Sequence, residues 1–235
     1  MDIETGLSQL NTLSHKCNQC GQAHFINSVL TPIYNMLAGL NGLDEQPFID
    51  SVAFQSDHLY FELQLTLEII STFIFRQMER AQHAAGTFFE KADKKRLEYS
   101  LKCIDFFAGL TSCYTARKTG DDSLIAEVQG VLDRFENLNL HCKWNFENKL
   151  FLLKAECSYT KGEANEAAKY YEASIASAKE HKFIHEEAIA CELAGYFYHE
   201  VGNQTKSKEI LEQAHNAYMT WGAVRKAKTM NLGSV

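Results

Sequence analysis

The sequence predicts an all-α protein built as a short solenoid of about four helix pairs. Three observations carry that expectation. No run of alternating β-branched residues is long enough to make a sheet. Only two prolines occur in 235 residues, so long helices go uninterrupted. Small, turn and large side chains also recur at an offset of 40 residues in the C-terminal half.

In that repeat Ala155 aligns with Gly195, Gly162 with Gly202, Ala167 with Ser207, Tyr171 with Leu211 and Ser174 with Ala214. Two antiparallel helices approach closely only where small side chains face each other, and a glycine lets the chain turn between them. The spacing is the tetratricopeptide (TPR) pattern, whose fold is an α–α superhelix. Its usual period is about 34 residues. The larger offset of 40 therefore requires longer helices or longer connections.

Each element follows from local signals. Residues 1–56 read as an N-terminal lead-in, with two helices across 8–40 broken near Pro32 and a turn-rich link from Asn41 to Pro47. The repeat domain, 57–235, opens with helices at 59–76 and 78–90, the second showing a small face of Ala81, Ala84 and Ala85. A basic run at 91–96 separates this pair from the next, 97–119 and 123–137, which turns at Gly120, Asp121 and Asp122. The third pair occupies 146–160 and 164–180, with Leu150, Leu153 and Cys157 on one stripe. The fourth occupies 186–200 and 205–220, and a last helix at 223–231 caps the stack.

Composition narrows the function. With 23 basic and 30 acidic residues the net charge is -7, which argues against a broad surface for nucleic acid or anionic lipid. The acidic, polar start MDIETGLSQL lacks the basic and apolar regions of a secretory signal, so a cytoplasmic protein is expected. Residues 17–43 carry no formal charge, yet interspersed asparagines, glutamines and Pro32 disqualify them as a membrane span. The cysteines number seven, scattered and odd, the pattern of reduced thiols.

Residues 145–231 resemble the TPR-like region of very large signalling ATPases, the serine-threonine kinase and sensor histidine kinase hybrids. The likeness rests on Asn145, Phe146, Lys149, Leu152, Leu153, Ala155, Glu156, Gly162, Ala167, Tyr171 and Glu172. It continues through Glu187-Ala188, Glu192-Leu193-Ala194, Phe197-Tyr198, Gly202 and Ala214 to Tyr218 and Trp221-Gly222-Ala223. A looser likeness covers Pro32 to Leu40 and Pro47. The chain lacks the phosphate-binding loop, the kinase loops and the histidine-kinase ATP site. The resemblance therefore implies a signal-transduction setting without an activity: a non-catalytic scaffold or regulatory module, or a fragment, contacting a protein partner or a neighbouring ATPase or kinase module. No cofactor is expected.

Two constellations compete as sites. Cys17-x-x-Cys20 with His24 has thiol spacing that suits zinc, but a closed site needs a second pair, which is missing. It supports an alternative reading as a metal or redox sensor. The other is the groove that the first helices of a TPR stack would line. Matching positions give Lys149, Leu152, Glu156 and Tyr159 from the third pair, and Ile189, Glu192, Tyr196, His199 and Glu200 from the fourth. This lining is acidic and aromatic. The combined lysine, asparagine and arginine set of a terminal-carboxylate clamp is absent from these positions, so a basic or amphipathic helical partner is expected.

Overall fold

The computed structural model describes residues 2–23, 26–43, 58–91 and 99–230. It is all-helical: α1 (Ile3–Gln19), a π-helical turn (Ile26–Leu30), α2 (Thr31–Asn41), α3 (His58–Ile74), α4 (Met78–Lys91), α5 (Tyr99–Thr119) and α6 (Ser123–His141). There follow α7 (Lys143–Thr160), α8 (Ala164–Glu180), α9 (Ile184–Glu200), α10 (Gln204–Trp221) and α11 (Val224–Thr229). No strand occurs among the described residues. None of the described helices is long and apolar enough to cross a membrane.

The 40-residue offset comes from the helices. α7, α8, α9 and α10 run 18, 17, 17 and 18 residues, while only residues 161–163, 181–183 and 201–203 connect them. These connections share one geometry. Gly162 and Gly202 take φ of 78° and 84°. The next amide then reaches back five residues, Glu163 N to Ser158 O at 2.9 Å and Asn203 N to Tyr198 O at 2.8 Å. That is the Schellman closure of a helix C-terminus, and it needs a left-handed residue. The same pair of bonds closes the turns at Gly21, Arg76, Lys182 and Gly222. Thus Arg76 and Lys182, at φ 59° and 61°, stand where glycine is easier.

Helices pack in adjacent pairs: α3 with α4, α5 with α6, α7 with α8, α9 with α10. The first helices also lie side by side, α3 on α5, α5 on α7 and α7 on α9. Small residues set the spacing within the pairs. Ala155, Ala167 and Ala214 are fully buried, and Ser207 Oγ donates to Gly195 O at 2.8 Å across the fourth pair. A Cβ on Gly195 would stand 2.5 Å from Leu211 Cγ, so the fourth pair closes only because that side chain is missing. In the second pair the lock is ionic: Arg134 holds Asp105 by two bonds of 2.6 and 2.5 Å.

The start of the chain departs from the sequence expectation. α1 begins at Ile3, five residues before the expected start, because Asp2 caps it by accepting from Thr5 N at 2.8 Å. The break between the first two helices falls at Gly21, and Pro32 lies in the first turn of α2. A proline there forfeits no helical hydrogen bond, so it starts a helix. α2 then touches both ends of the stack, packing on α3 and on α11. Asn41 Nδ2 donates to Gly222 O at 3.1 Å, and Ile3, 1% exposed, lies against Gly222. The basic run expected at 91–96 falls outside the described residues except for Lys91 in α4.

Candidate functional site

The nine residues expected to line a groove separate into an interior set and two accessible groups. Leu152, Glu156, Ile189 and Glu192 are each no more than 3% exposed, so they belong to the core and cannot meet a partner directly. Burial of two glutamates demands compensation, since an unpaired carboxylate in the interior is very costly. Glu156 on α7 receives Arg117 Nη2 of α5 at 3.0 Å and the hydroxyl of Tyr171 on α8. Glu192 on α9 receives Lys226 Nζ of α11 at 2.6 Å, Tyr218 Oη of α10 at 2.7 Å and Tyr196 Oη at 3.1 Å. Each glutamate thereby ties its own pair to a helix of a neighbouring unit.

These contacts set the proton affinities. Burial first, and then the facing Glu156 carboxylate, push the Tyr171 phenol well above its ordinary 10.0. Burial and Glu192 do the same to Tyr218. Burial pulls the Lys226 ammonium below 10.5, with Glu192 opposing. For Arg117, burial works against the charge but Glu156 outweighs it and the guanidinium is held more firmly protonated.

The first accessible group gathers at the C-terminal ends of α5, α7 and α9. Tyr159, Tyr196 and His199 are partly exposed and Glu200 is exposed. Tyr159 donates to Glu200 and stands edge-on to Phe197, with the Arg117 guanidinium 4.0 Å over its ring. His199 Nδ1 shares a hydrogen bond of 2.9 Å with Gln204. Glu200 approaches Lys118 at 3.8 Å. Tyr114 of α5 completes the rim, facing Arg76 at 5.3 Å and Arg117 at 5.9 Å.

Lys149 sits near the other end of α7. Its Nζ contacts Glu186 Oε1 at 2.5 Å and lies 5.2 Å over the Phe183 ring. Burial would raise the Glu186 carboxyl, but the His185 hydrogen bond and Lys149 charge prevail and hold it down to about 2. The nine residues are therefore not one continuous lining. The expected acidity also changes, because Glu156, Glu186, Glu192 and Glu200 are matched by Arg117, Lys149, Lys226 and Lys118.

Cys17 lies in the last turn of α1, half-buried, and Cys20 caps that helix, exposed. His24 lies outside the described residues. Among the described residues no three histidine, cysteine or acidic side chains gather in a way that could hold a metal. A cleft of about 640 Å³ opens beside the rim, between Ala116, Arg117 and Gly120 of one unit and Thr160 and Lys161 of the next.

Sequence reasoning assigned no site role to Arg76, Arg117 or Lys226. A signal for the last two existed: a glutamate on the inner stripe of a paired helix, among alanines and leucines, requires a cation on a neighbouring element. Which cation could not be read, for Arg117 and Glu156 are 39 residues apart. No family model matches this chain, no curated protein matches it, and no solved structure does.

Proposed function

We propose that the chain is a TPR-like α–α superhelix acting as a non-catalytic scaffold or regulatory module of a cytoplasmic signal-transduction ATPase or kinase system. The observation that carries this reading is the rim of Tyr114, Tyr159, Tyr196 and His199, contributed by three successive first helices and partly exposed. Tyrosines offer large contact area at small rotamer cost, which suits protein recognition. Behind them the buried Glu156 and Glu192 contacts link neighbouring units. A partner bound along the rim would bias the angles between pairs and pass that bias to attached domains. The signalling assignment rests on the sequence resemblance over residues 145–231.

The test is position-specific crosslinking. A photoreactive residue at His199, on the rim, is expected to capture a discrete protein partner in cells, whereas one at the exposed Glu212 on α10 captures none. The same adducts from both positions, or none from either, would count against the module reading.

A further inference from the structure

Arg76 stands out among the charged groups of the rim. Its guanidinium carbon lies 5.3 Å from the Tyr114 ring centroid and 5.0 Å from that of Tyr196, so the cation is shared by two aromatic rings. Glu156, Glu192 and Glu200 of the same region are already committed to Arg117, Lys226 and Lys118. Arg76 itself makes no salt bridge or side-chain hydrogen bond among the described residues, and the residue is partly exposed. Aromatic rings attract the cation without offering an oxygen acceptor from their faces, so the guanidinium N–H donors keep their capacity for a further partner. Such a fork matches the two oxygens of a carboxylate.

The backbone adds a second observation. Arg76 occupies the left-handed position of a turn whose counterparts are Gly21, Gly162, Gly202 and Gly222, with Lys182 the other exception. Glycine would adopt φ 59° without a Cβ penalty. An arginine there bears a conformational cost, and among the described residues its side chain faces the Tyr114 and Tyr196 rings and lies within electrostatic reach of Tyr218 and Lys226.

We propose that Arg76, held between Tyr114 and Tyr196, anchors an aspartate or glutamate side chain of an acidic, partly apolar peptide segment in a partner protein. This rests on the interaction reading above and reverses the charge of partner that the sequence suggested. Glu156 and Glu192 are neutralised from within and Glu200 faces Lys118, while Arg76 is a rim cation with no carboxylate partner among the described residues. The bound carboxylate takes two N–H donors from Arg76, while apolar side chains of the segment lie on the Tyr114, Tyr159 and Tyr196 rings. Preorganisation of the guanidinium lowers the entropy lost on binding.

Fluorescence anisotropy with a labelled peptide of alternating glutamate and leucine tests this on the full chain. Saturable binding is expected, weakened about tenfold or more by Arg76→Gly, and absent for the matching lysine and leucine peptide. Arg76→Lys, a point charge without the fork, is expected to weaken binding by about threefold or more. No saturable binding, equal binding by Arg76→Gly, or displacement by inorganic phosphate at the peptide's own concentration overturns the proposal. The last outcome would mark a simple anion site. Thermal melts accompany each variant. If Arg76→Gly melts earlier than the parent, Arg76→Lys decides alone, and an unchanged affinity overturns the proposal. The two readings fail separately: if crosslinks from position 199 persist unaltered in Arg76→Gly, the module stands and the Arg76 anchor falls.

Discussion

Lys226 Nζ stands 2.6 Å from Glu192 Oε1 with both side chains no more than 4% exposed, so the short last helix is fastened to α9 by an enclosed ion pair. Removing only the cation leaves a carboxylate buried and under-compensated. Lys226→Met is expected to lower unfolding free energy by about 3–5 kcal/mol. The double variant with Glu192→Gln should recover more than half of that loss, because glutamine can still accept from Tyr218 and Tyr196. Urea denaturation of the three chains checks this. Equal losses in single and double variants would mean that Lys226 contributes through packing alone.

At Gly195 two effects oppose each other. Alanine in a helix interior is favoured over glycine by about 1 kcal/mol. Here its Cβ would meet Leu211 Cγ at 2.5 Å and Cδ2 at 2.6 Å, and Cγ is not a free-swinging end. Overpacking, at roughly 1–3 kcal/mol, wins. Gly195→Ala should therefore melt earlier than the parent, and Leu211→Ala in the same chain should relieve part of the loss. A raised melting temperature for the single variant would contradict the close approach of α9 and α10.

Alkaline pH should unfold the protein cooperatively. Burial raises the Tyr171 and Tyr218 phenols well above 10.0, raises Tyr198 to about 12, and raises the Cys191 thiol from 9.0 to about 12. A group whose folded pKa is raised favours folding fully below its unfolded value, and that contribution disappears as pH climbs through the folded value. Stability should thus fall from about pH 9 upward, and phenolate absorbance should appear together with loss of helical circular dichroism. Phenolate absorbance that rises to completion while the helices persist would refute the enclosed tyrosines.

Glu186 governs the acid limb with the opposite sign. Its carboxyl is held at about 2 against an ordinary 4.5, so its contribution is complete above the unfolded value and is lost as pH falls toward the folded one. At 11% side-chain exposure this amounts to on the order of 3 kcal/mol. Comparing urea midpoints at about pH 5 and about pH 3 should show the loss, and Lys149→Met should flatten it. An unchanged pH slope in that variant would take Lys149 out of the account.

Much of the architecture was legible because helix pairing leaves local marks. Gly162 and Gly202 announce turns through a backbone that only glycine enters easily, and Ala155, Ala167 and Ala214 announce close contact through the size of their side chains. The range 164–180 agrees with α8 residue for residue. Pro32 misled, since a proline both ends and begins helices and the neighbouring sequence does not say which. The site was harder to read. Glu156 and Glu192 spell surface, and their burial depends on Arg117 and Lys226, which long-range packing alone brings near. Arg76 escaped notice because it sits in a connection, where the repeat pattern assigns no lining position.

The bond from Asn41 to Gly222 joins residues 181 positions apart, and it bears on how the molecule folds. In an open array each pair leans only on its neighbours, so the ends fray first and melting spreads inward. Here α2 touches both α3 and α11, and it can complete both contacts, as a keystone does, only once the intervening pairs have formed. Long-range closure of this kind slows the search for the native state, and once made it couples the terminal helices to the whole. The helices at the two ends should accordingly exchange their amide hydrogens in step with the middle of the stack.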